Sequence, residues 1–330
     1  MKRPMRALIT GAGGFLGIWL ARALAARGDT VTCLLRPRGD ASGLAGISYK
    51  RVEGDVTDAA SLRPAVEGQD VVFHLAGVRR GATREDFMRV NAEGTRLLCD
   101  AMVAAGHRPR LVLVGSLAAM GPSSPTRPHV EEDAFQPHEW YGESKAEAER
   151  IAFSYGDRLP VTVSRPPRIL GPGDHENLTF FKLVKKGIRL ELVGGPRPLT
   201  MVDVEDVVDA LILQAEHPNA VGQAFFCAGP GAPLSLEAVQ DLGAKALGLQ
   251  PRTVRVSPWA LSALASAADG VSRVTGKMLP LNRKLARQLL APAWTCSSAK
   301  AERLLGFHPR RDLEDSIRRS AEWYREQGWL

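Results

Sequence analysis

Cysteine is scarce: Cys33, Cys99, Cys227 and Cys296 are the four in 330 residues, and no two stand in CxxC spacing. They lie mostly in apolar segments and read as reduced core thiols, which excludes a disulfide scaffold and leaves no zinc site. No apolar run reaches the length of a bilayer-spanning helix, so an integral membrane protein is excluded. Met1-Lys2-Arg3-Pro4 leads into a short strand, without the apolar stretch of a signal peptide, and the expected location is the cytoplasm. Aromatics make up 6% of the chain and are rarely interleaved with its basic residues, so the net charge of +7 does not point to nucleic acid as a partner. That positive field favours an anionic small molecule instead. Arg310-Arg311 and Arg318-Arg319 read as solvated faces. Internal repeats and low-complexity segments are also missing.

What is present is enough apolar sequence, 45%, to bury a large core, in a chain somewhat above the usual size of one domain. Strand patterns at Met5 to Ile9, Thr30 to Leu35, Tyr49 to Glu53, Val71 to Leu75, Leu111 to Ser116 and Val161 to Arg165 alternate with helical stretches. Such alternation predicts an α/β fold, a Rossmann-type doubly wound parallel sheet with helices on both faces. After Arg165 the regularity breaks at Pro166-Pro167, Gly171-Pro172-Gly173 and Gly194-Gly195-Pro196. A helix follows over Val202 to Glu216, then a strand over Gly222 to Cys227, and from Pro233 the pattern is mainly helical. The expected division is a dinucleotide-binding domain of residues 1–165 plus about 201–228, and a smaller, mainly helical substrate domain of about 166–200 plus 229–330.

The first strand runs into Thr10-Gly11-Ala12-Gly13-Gly14-Phe15-Leu16-Gly17 and then a helix that stops at Gly28. Gly11 suits a tight turn, Gly14 lets backbone approach a pyrophosphate, and Gly17 lets helix and strand pack closely, while the helix N-terminus offers unpaired N–H donors. The second strand ends Leu34-Leu35-Arg36-Pro37-Arg38, without the acidic residue that would hold a ribose 2′-hydroxyl. Arg36 suits a 2′-phosphate, so NADP(H) is favoured, with NAD(H) the alternative. In Gly54-Asp55-Val56 the Asp55 carboxylate stands where it can accept from an adenine amino group.

Tyr141-Gly142-Glu143-Ser144-Lys145 places a tyrosine and a lysine on one helix face, where an ammonium can lower the phenol pKa and also bond a nicotinamide ribose. Tyr141 is then a general acid or base, and Ser116, at a strand end, can hold the substrate oxygen during hydride transfer. Taken alone, this tyrosine–lysine spacing is common on helix surfaces, and Ser116 could equally cap a helix or start a turn. The combination with the glycine turn selects the catalytic reading.

At these residues the chain resembles the extended short-chain dehydrogenase/reductase family, also described as the NAD(P)-dependent epimerase/dehydratase superfamily. The likeness spans nearly the whole length. It also rests on His74-Leu75-Ala76-Gly77, Val90-Asn91-x-x-Gly94-Thr95, Arg165-Pro166-Pro167-x-x-x-Gly171-Pro172, Val202-x-Val204-x-Asp206 and Leu304-Leu305-Gly306-Phe307-x-Pro309. The resemblance implies Ser116, Tyr141 and Lys145 as the catalytic set. It implies cofactor contacts from Gly11, Gly14, Phe15, Leu16, Gly17, Arg36, Asp55, Val56, Leu75, Ala76, Gly77, Asn91 and Arg168 besides Tyr141 and Lys145, with no metal. A homodimer is a family expectation.

Members acting on nucleotide sugars usually carry asparagine where this chain has Arg168, and a diphosphate-gripping arginine where it has Leu199. Asp203 and Met120 are further departures, both expected to bear on the pocket wall. The tail stretches Trp259 to Ala265 and Leu285 to Leu290 resemble apolar helices of the 3β-hydroxysteroid dehydrogenase and dihydroflavonol reductase-like branch. The implied activity is interconversion of a secondary alcohol and a ketone on a fairly apolar small molecule, sterol-like, polyketide-like or 3-oxo. Peripheral membrane contact stays open. The alternatives are a nucleotide-sugar epimerase or dehydratase, and a non-catalytic dinucleotide-binding regulatory protein.

Overall fold

The computed structural model describes residues 3–275 and 281–330; Met1 and Lys2 of the N-terminal reading lie outside them. The strands are β1 (Arg6–Thr10), β2 (Thr30–Leu35), β3 (Lys50–Glu53), β4 (Val71–His74), β5 (Arg110–Val114), β6 (Val161–Arg165), β7 (Arg168–Leu170), β8 (Ile188–Leu192), β9 (Met201–Asp203), β10 (Ala224–Phe226) and β11 (Arg252–Val256). Seven of them form one sheet in the order β10-β6-β5-β4-β1-β2-β3, every neighbouring pair parallel. The order reverses between β1 and β4, and the C-terminal strand ends on either side of that reversal form the crevice where doubly wound sheets bind ligands.

Both faces of the sheet are apolar because its central strands are buried throughout, as the run Val71-Val72-Phe73 shows. One face packs Ala7, Ile9, Val31 and Phe73 under the helices Phe15–Ala26 and Val204–Glu216. Leu8, Val72, Leu111 and Val163 pack on the other, under Gly94–Ala104 and Trp140–Ser154. A separate apolar cluster joins Phe180, Phe181, Leu192, Leu236, Leu261, Ile317 and Tyr324, so the segment from 178 and the tail share one core. The four cysteines are buried and unpaired, as read from their apolar surroundings.

Several boundaries differ from the sequence reading. The helix expected from Val202 starts at Val204, because Met201–Asp203 pairs with Arg168–Leu170 and Asp203 caps the helix by accepting from Glu205 N at 2.8 Å. The span expected to be irregular holds a helix, Leu178–Lys185, and β8, which pairs with β11. These elements are too short to outweigh the Gly and Pro that surround them in the sequence. Arg311 and Arg319 are only partly exposed and are ion-paired: Arg311 bonds Asp206 and Asp209 at 2.8 and 2.5 Å, and Arg319 bonds Asp203 and Glu205 at 2.6 Å each. They tie the C-terminal segment to the helix Val204–Glu216, whose carboxylates lie far away in sequence. Arg318 does face solvent, with Asp315 and Glu322.

Candidate active site

The glycine turn is forced by close backbone approaches. Gly11 has φ +74°, and a Cβ there would lie 2.7 Å from Ala76 N; one on Gly17 would lie 2.3 Å from the Gly11 carbonyl. Gly13 has the carbonyl of Asp40 at 2.3 Å from its missing Cβ, so the loop after β2 closes over the turn. Gly14 is the N-cap of the helix Phe15–Ala26 and offers no side chain to it. The first-turn N–H groups of Phe15 and Leu16 are therefore available to a ligand phosphate. Leu16 packs its side chain against the core, whereas Phe15 reaches the cavity described below.

Arg36 is exposed beyond the end of β2. Burial pushes the Asp55 carboxyl upward, but Thr57, which donates from N at 2.9 Å and from Oγ1 at 2.8 Å, together with the charges of Arg36 and Arg89, holds it below its ordinary value. Val56 is buried against Gly94.

The β4 end is set by a buried relay. Thr95 Oγ1 donates to Asn91 O at 2.6 Å, so it accepts from His74 Nε2–H at 3.0 Å. His74 Nδ1 is then the acceptor for Thr10 Oγ1–H at 2.7 Å, and Thr10 Oγ1 accepts from Ala76 N at 3.2 Å. This fixes His74 as the neutral Nε2–H tautomer. It holds Leu75, Ala76 and Gly77 across the mouth of the glycine turn. Asn91 is buried, accepts from Val78 N at 2.7 Å, and donates to Val78 O at 3.0 Å and Ser144 Oγ at 2.8 Å. Its amide thus clamps the 77–78 loop to the tyrosine-bearing helix.

That helix, Trp140–Ser154, seats on the turn after β5 because Gly142 has no side chain: a Cβ would lie 2.2 Å from Ala118 O. Ser116 lies two residues beyond the end of β5, not within it, and caps the short turn Leu117–Ala119 by accepting from Ala118 N at 3.1 Å. The capping alternative is thus realised, and the hydroxyl proton stays free to donate. Lys145 is buried, donates to Val114 O at 2.6 Å, and lies 3.6 Å from where a Gly77 Cβ would stand. Burial pulls its ammonium below its ordinary pKa, an effect opposed by Tyr141.

Ser116 and Tyr141 open on a cavity of about 310 Å³. Leu192, Leu199, Leu236, Leu285, Leu289 and Trp294 supply much of its wall, and charge of both signs comes from Arg79, Arg168 and Arg197 and from Glu139, Asp174, Glu176 and Glu237. Met120 and Asp203 are not among the lining residues: Met120 is buried against Leu117 and Phe226, and Asp203 is buried in its ion pair with Arg319. Of the apolar tail helices, Leu285 and Leu289 reach the cavity, while Trp259 and Leu264 face outward.

The sequence reading missed Arg79, Asp174, Asn177 and Phe180. Asp174 and Asn177 follow a Gly-Pro-Gly turn and look like loop residues, yet both are buried. The amphipathic run Leu178-Thr179-Phe180-Phe181 was the available signal for a helix behind them. Among the described residues no group of His, Cys, Asp and Glu could hold a metal ion, and no helix is long and apolar enough to cross a membrane.

Comparison with known proteins settles the family. The model of the NAD dependent epimerase/dehydratase family matches residues 7–228. The chain belongs to this family. The family is one of NAD-dependent enzymes, and the chain's relatives include reductases and dehydrogenases that work at CH–OH or keto groups as well as epimerases. The chain is 31% identical to a ceramide reductase of Caulobacter vibrioides over 98% of its own length and 95% of that protein. It is 30% identical to a 2-alkyl-3-oxoalkanoate reductase of Stenotrophomonas maltophilia, covering 96% and 98% of the two chains. The crystal structure of gox2253 superposes with a TM-score of 0.83 at 26% identity, covering 98% and 99%.

Proposed function

We propose that the chain is an NADP(H)-preferring oxidoreductase that interconverts a secondary alcohol and a ketone on a largely apolar substrate. The observation that carries this reading is the cavity beside Ser116 and Tyr141, walled by six leucines and Trp294. Burying an alkyl chain there is favourable by about 25 cal/mol per Å² of apolar surface. Gly11 to Gly17, Leu75 to Gly77 and Lys145 would hold a nicotinamide dinucleotide, which would supply the hydride when bound. In reduction, Ser116 Oγ–H donates to the substrate oxygen, Tyr141 delivers the proton to it, and the Lys145 ammonium stabilises the phenolate left behind.

Arg197 reaches the cavity but spends its guanidinium on the carbonyls of Val193 and Gly195, at 3.3 and 3.2 Å. It does not replace the diphosphate-gripping arginine whose place Leu199 takes. Arg36, exposed at the end of β2 with no acid following it on that strand, supports the NADP preference. The two-part division of the chain is proposed on the same grounds, with the cavity between the sheet's C-terminal edge and the segments around 192–199 and 285–294.

The test is net oxidation of NADPH with a panel of long-chain ketones, run beside UDP-glucose. Ketone-dependent loss of NADPH absorbance without sugar interconversion is the expected result. Conversion of UDP-glucose with no net change in cofactor sinks the reading.

A further inference from the structure

Arg168, like Arg197, lines the cavity with hydrogen bonds to uncharged acceptors alone, but it is the one of the two that stands beside Arg79 and Tyr141. It stands on β7, partly buried in the cavity wall, with Nε donating to Asn177 Oδ1 at 2.5 Å and one terminal nitrogen donating to Glu176 O at 3.4 Å. Its guanidinium carbon lies 4.9 Å from the centre of the Phe180 ring. Both hydrogen-bond partners are uncharged acceptors. The nearby Asp174 carboxylate is committed elsewhere, accepting from Glu176 N at 2.7 Å and Asn177 N at 3.0 Å, and also from the Asn177 amide.

A second guanidinium is close. Arg79 also lines the cavity, lies 5.4 Å from the centre of the Tyr141 ring, and pairs with Glu176 at 3.7 Å. Arg168 and Arg79 therefore meet at one residue, Glu176, whose carboxylate is further shared with Arg80 at 3.5 Å. Arg79, Arg168 and Arg197 share the cavity lining with Glu139, Asp174, Glu176 and Glu237, so the case for an anion is local to the Arg168 guanidinium and not a matter of net charge. Burial lowers the Arg168 pKa and Arg79 pushes it the same way, while the charges of Asp174 and Glu176 oppose them without hydrogen-bonding the guanidinium. An anion in the cavity would offset both costs, because a desolvated guanidinium gains most from a charge-assisted partner.

We propose that Arg168 is the anchor of an anion subsite, and that the preferred substrate is a ketone or alcohol bearing a carboxylate close to the reacting carbon, with its alkyl chain along the leucine wall. This rests on the reading of the cavity as the substrate site, and it makes Arg168 a specificity residue rather than a cofactor contact. Such a substrate is amphiphilic with its charge at the reacting end. It is the class in which one end needs the arginine and the other needs the leucines.

The experiment compares 3-oxodecanoate with its methyl ester as substrates for NADPH oxidation, in the wild type, Arg168→Leu and Arg168→Lys, with thermal unfolding of each variant recorded. The wild type is expected to prefer the acid in kcat/KM. Arg168→Leu is expected to lower the acid-to-ester ratio by about 10–100-fold, the size of one charge-assisted hydrogen bond. Arg168→Lys should restore part of that ratio, since it keeps the charge but not the fork. A wild type indifferent to the charge, or a ratio unmoved by Arg168→Leu, overturns the proposal.

Calorimetric binding of decanoate and methyl decanoate to the NADP-loaded protein tests the subsite without turnover. Tighter binding of the acid that Arg168→Leu abolishes supports it even if no ketone is reduced, an outcome that would overturn the proposed reaction alone. A loss of UDP-glucose affinity in Arg168→Leu, with no acid preference in the wild type, assigns the arginine to a diphosphate instead and overturns it.

Discussion

Tyr141 is the residue on which the chemistry turns, and its surroundings make its role separable from binding. The phenol is half-buried at the cavity mouth while its backbone is fixed by Ser144, whose Oγ donates to Tyr141 O at 2.8 Å. Tyr141→Phe should keep the ring in place and remove only the transferable proton. Activity is expected to fall by about 10²–10⁴-fold, the usual contribution of a general acid or base, with cofactor affinity nearly unchanged. Steady-state rates together with an NADPH fluorescence titration check this; a variant that keeps a tenth of the rate removes Tyr141 from the role. Arg36 is tested in the same way. Arg36→Asp should reverse the order of the NADPH and NADH dissociation constants, because a carboxylate repels the 2′-phosphate and accepts from a 2′-hydroxyl. Equal constants for the two cofactors in the wild type would sink the assignment.

The helix Trp140–Ser154 carries Tyr141 and Lys145, and its far end is held by a buried ion pair. Arg165 at the end of β6 donates from Nε to both oxygens of Glu149 at 3.1 Å and from a terminal nitrogen to Glu131 O at 2.9 Å. Arg165 and Glu149 are 5% and 1% exposed, so neither charge has water to fall back on. Glu149→Ala should destabilise the protein by about 3–5 kcal/mol, mainly by leaving Arg165 buried without its partner. Denaturant unfolding of both proteins gives the number, and a loss below 1 kcal/mol would mean that water reaches the guanidinium. The pair itself could not be read from the sequence, since Glu149 looks like one of several helix-surface acids. It is the β6 strand end that turns it inward.

Stability of the whole molecule should depend on pH through His74. Burial, with the Lys145 charge adding, pushes its pKa down from 6.5 to about 3. The unfolded chain takes up a proton near pH 6.5 that the native fold refuses. The stabilisation is thus complete above that pH and is lost progressively as pH falls toward 3, where the native imidazole also protonates. The slope is about 1.4 kcal/mol per pH unit, or about 2 kcal/mol between pH 6.5 and 5. Urea unfolding at pH 7 and pH 5 should show a smaller loss in His74→Gln than in the wild type. Identical losses in the two proteins would place the acid sensitivity elsewhere.

The doubly wound core and the ligand end of its sheet were legible early, because they follow from local signals. Buried parallel strands require continuous apolar runs, and the glycine turn must use residues without Cβ where backbone meets backbone at Ala76 and Gly11. Tyr141 and Lys145 share a face by helix periodicity alone. The cavity is different in kind. Its wall gathers Phe15, Arg168, Leu199, Leu236, Leu285 and Trp294 from segments separated by most of the chain, and no local pattern records which of them meet. The same reason explains the misread charges: Arg311 and Arg319 look like ordinary surface arginines until the packing of the last helix brings them to Asp203, Asp206 and Asp209. Backbone sterics and hydrophobic periodicity act within a few residues and so are written along the chain, whereas charge pairing and cavity shape depend on long-range packing and exist only once the chain has folded.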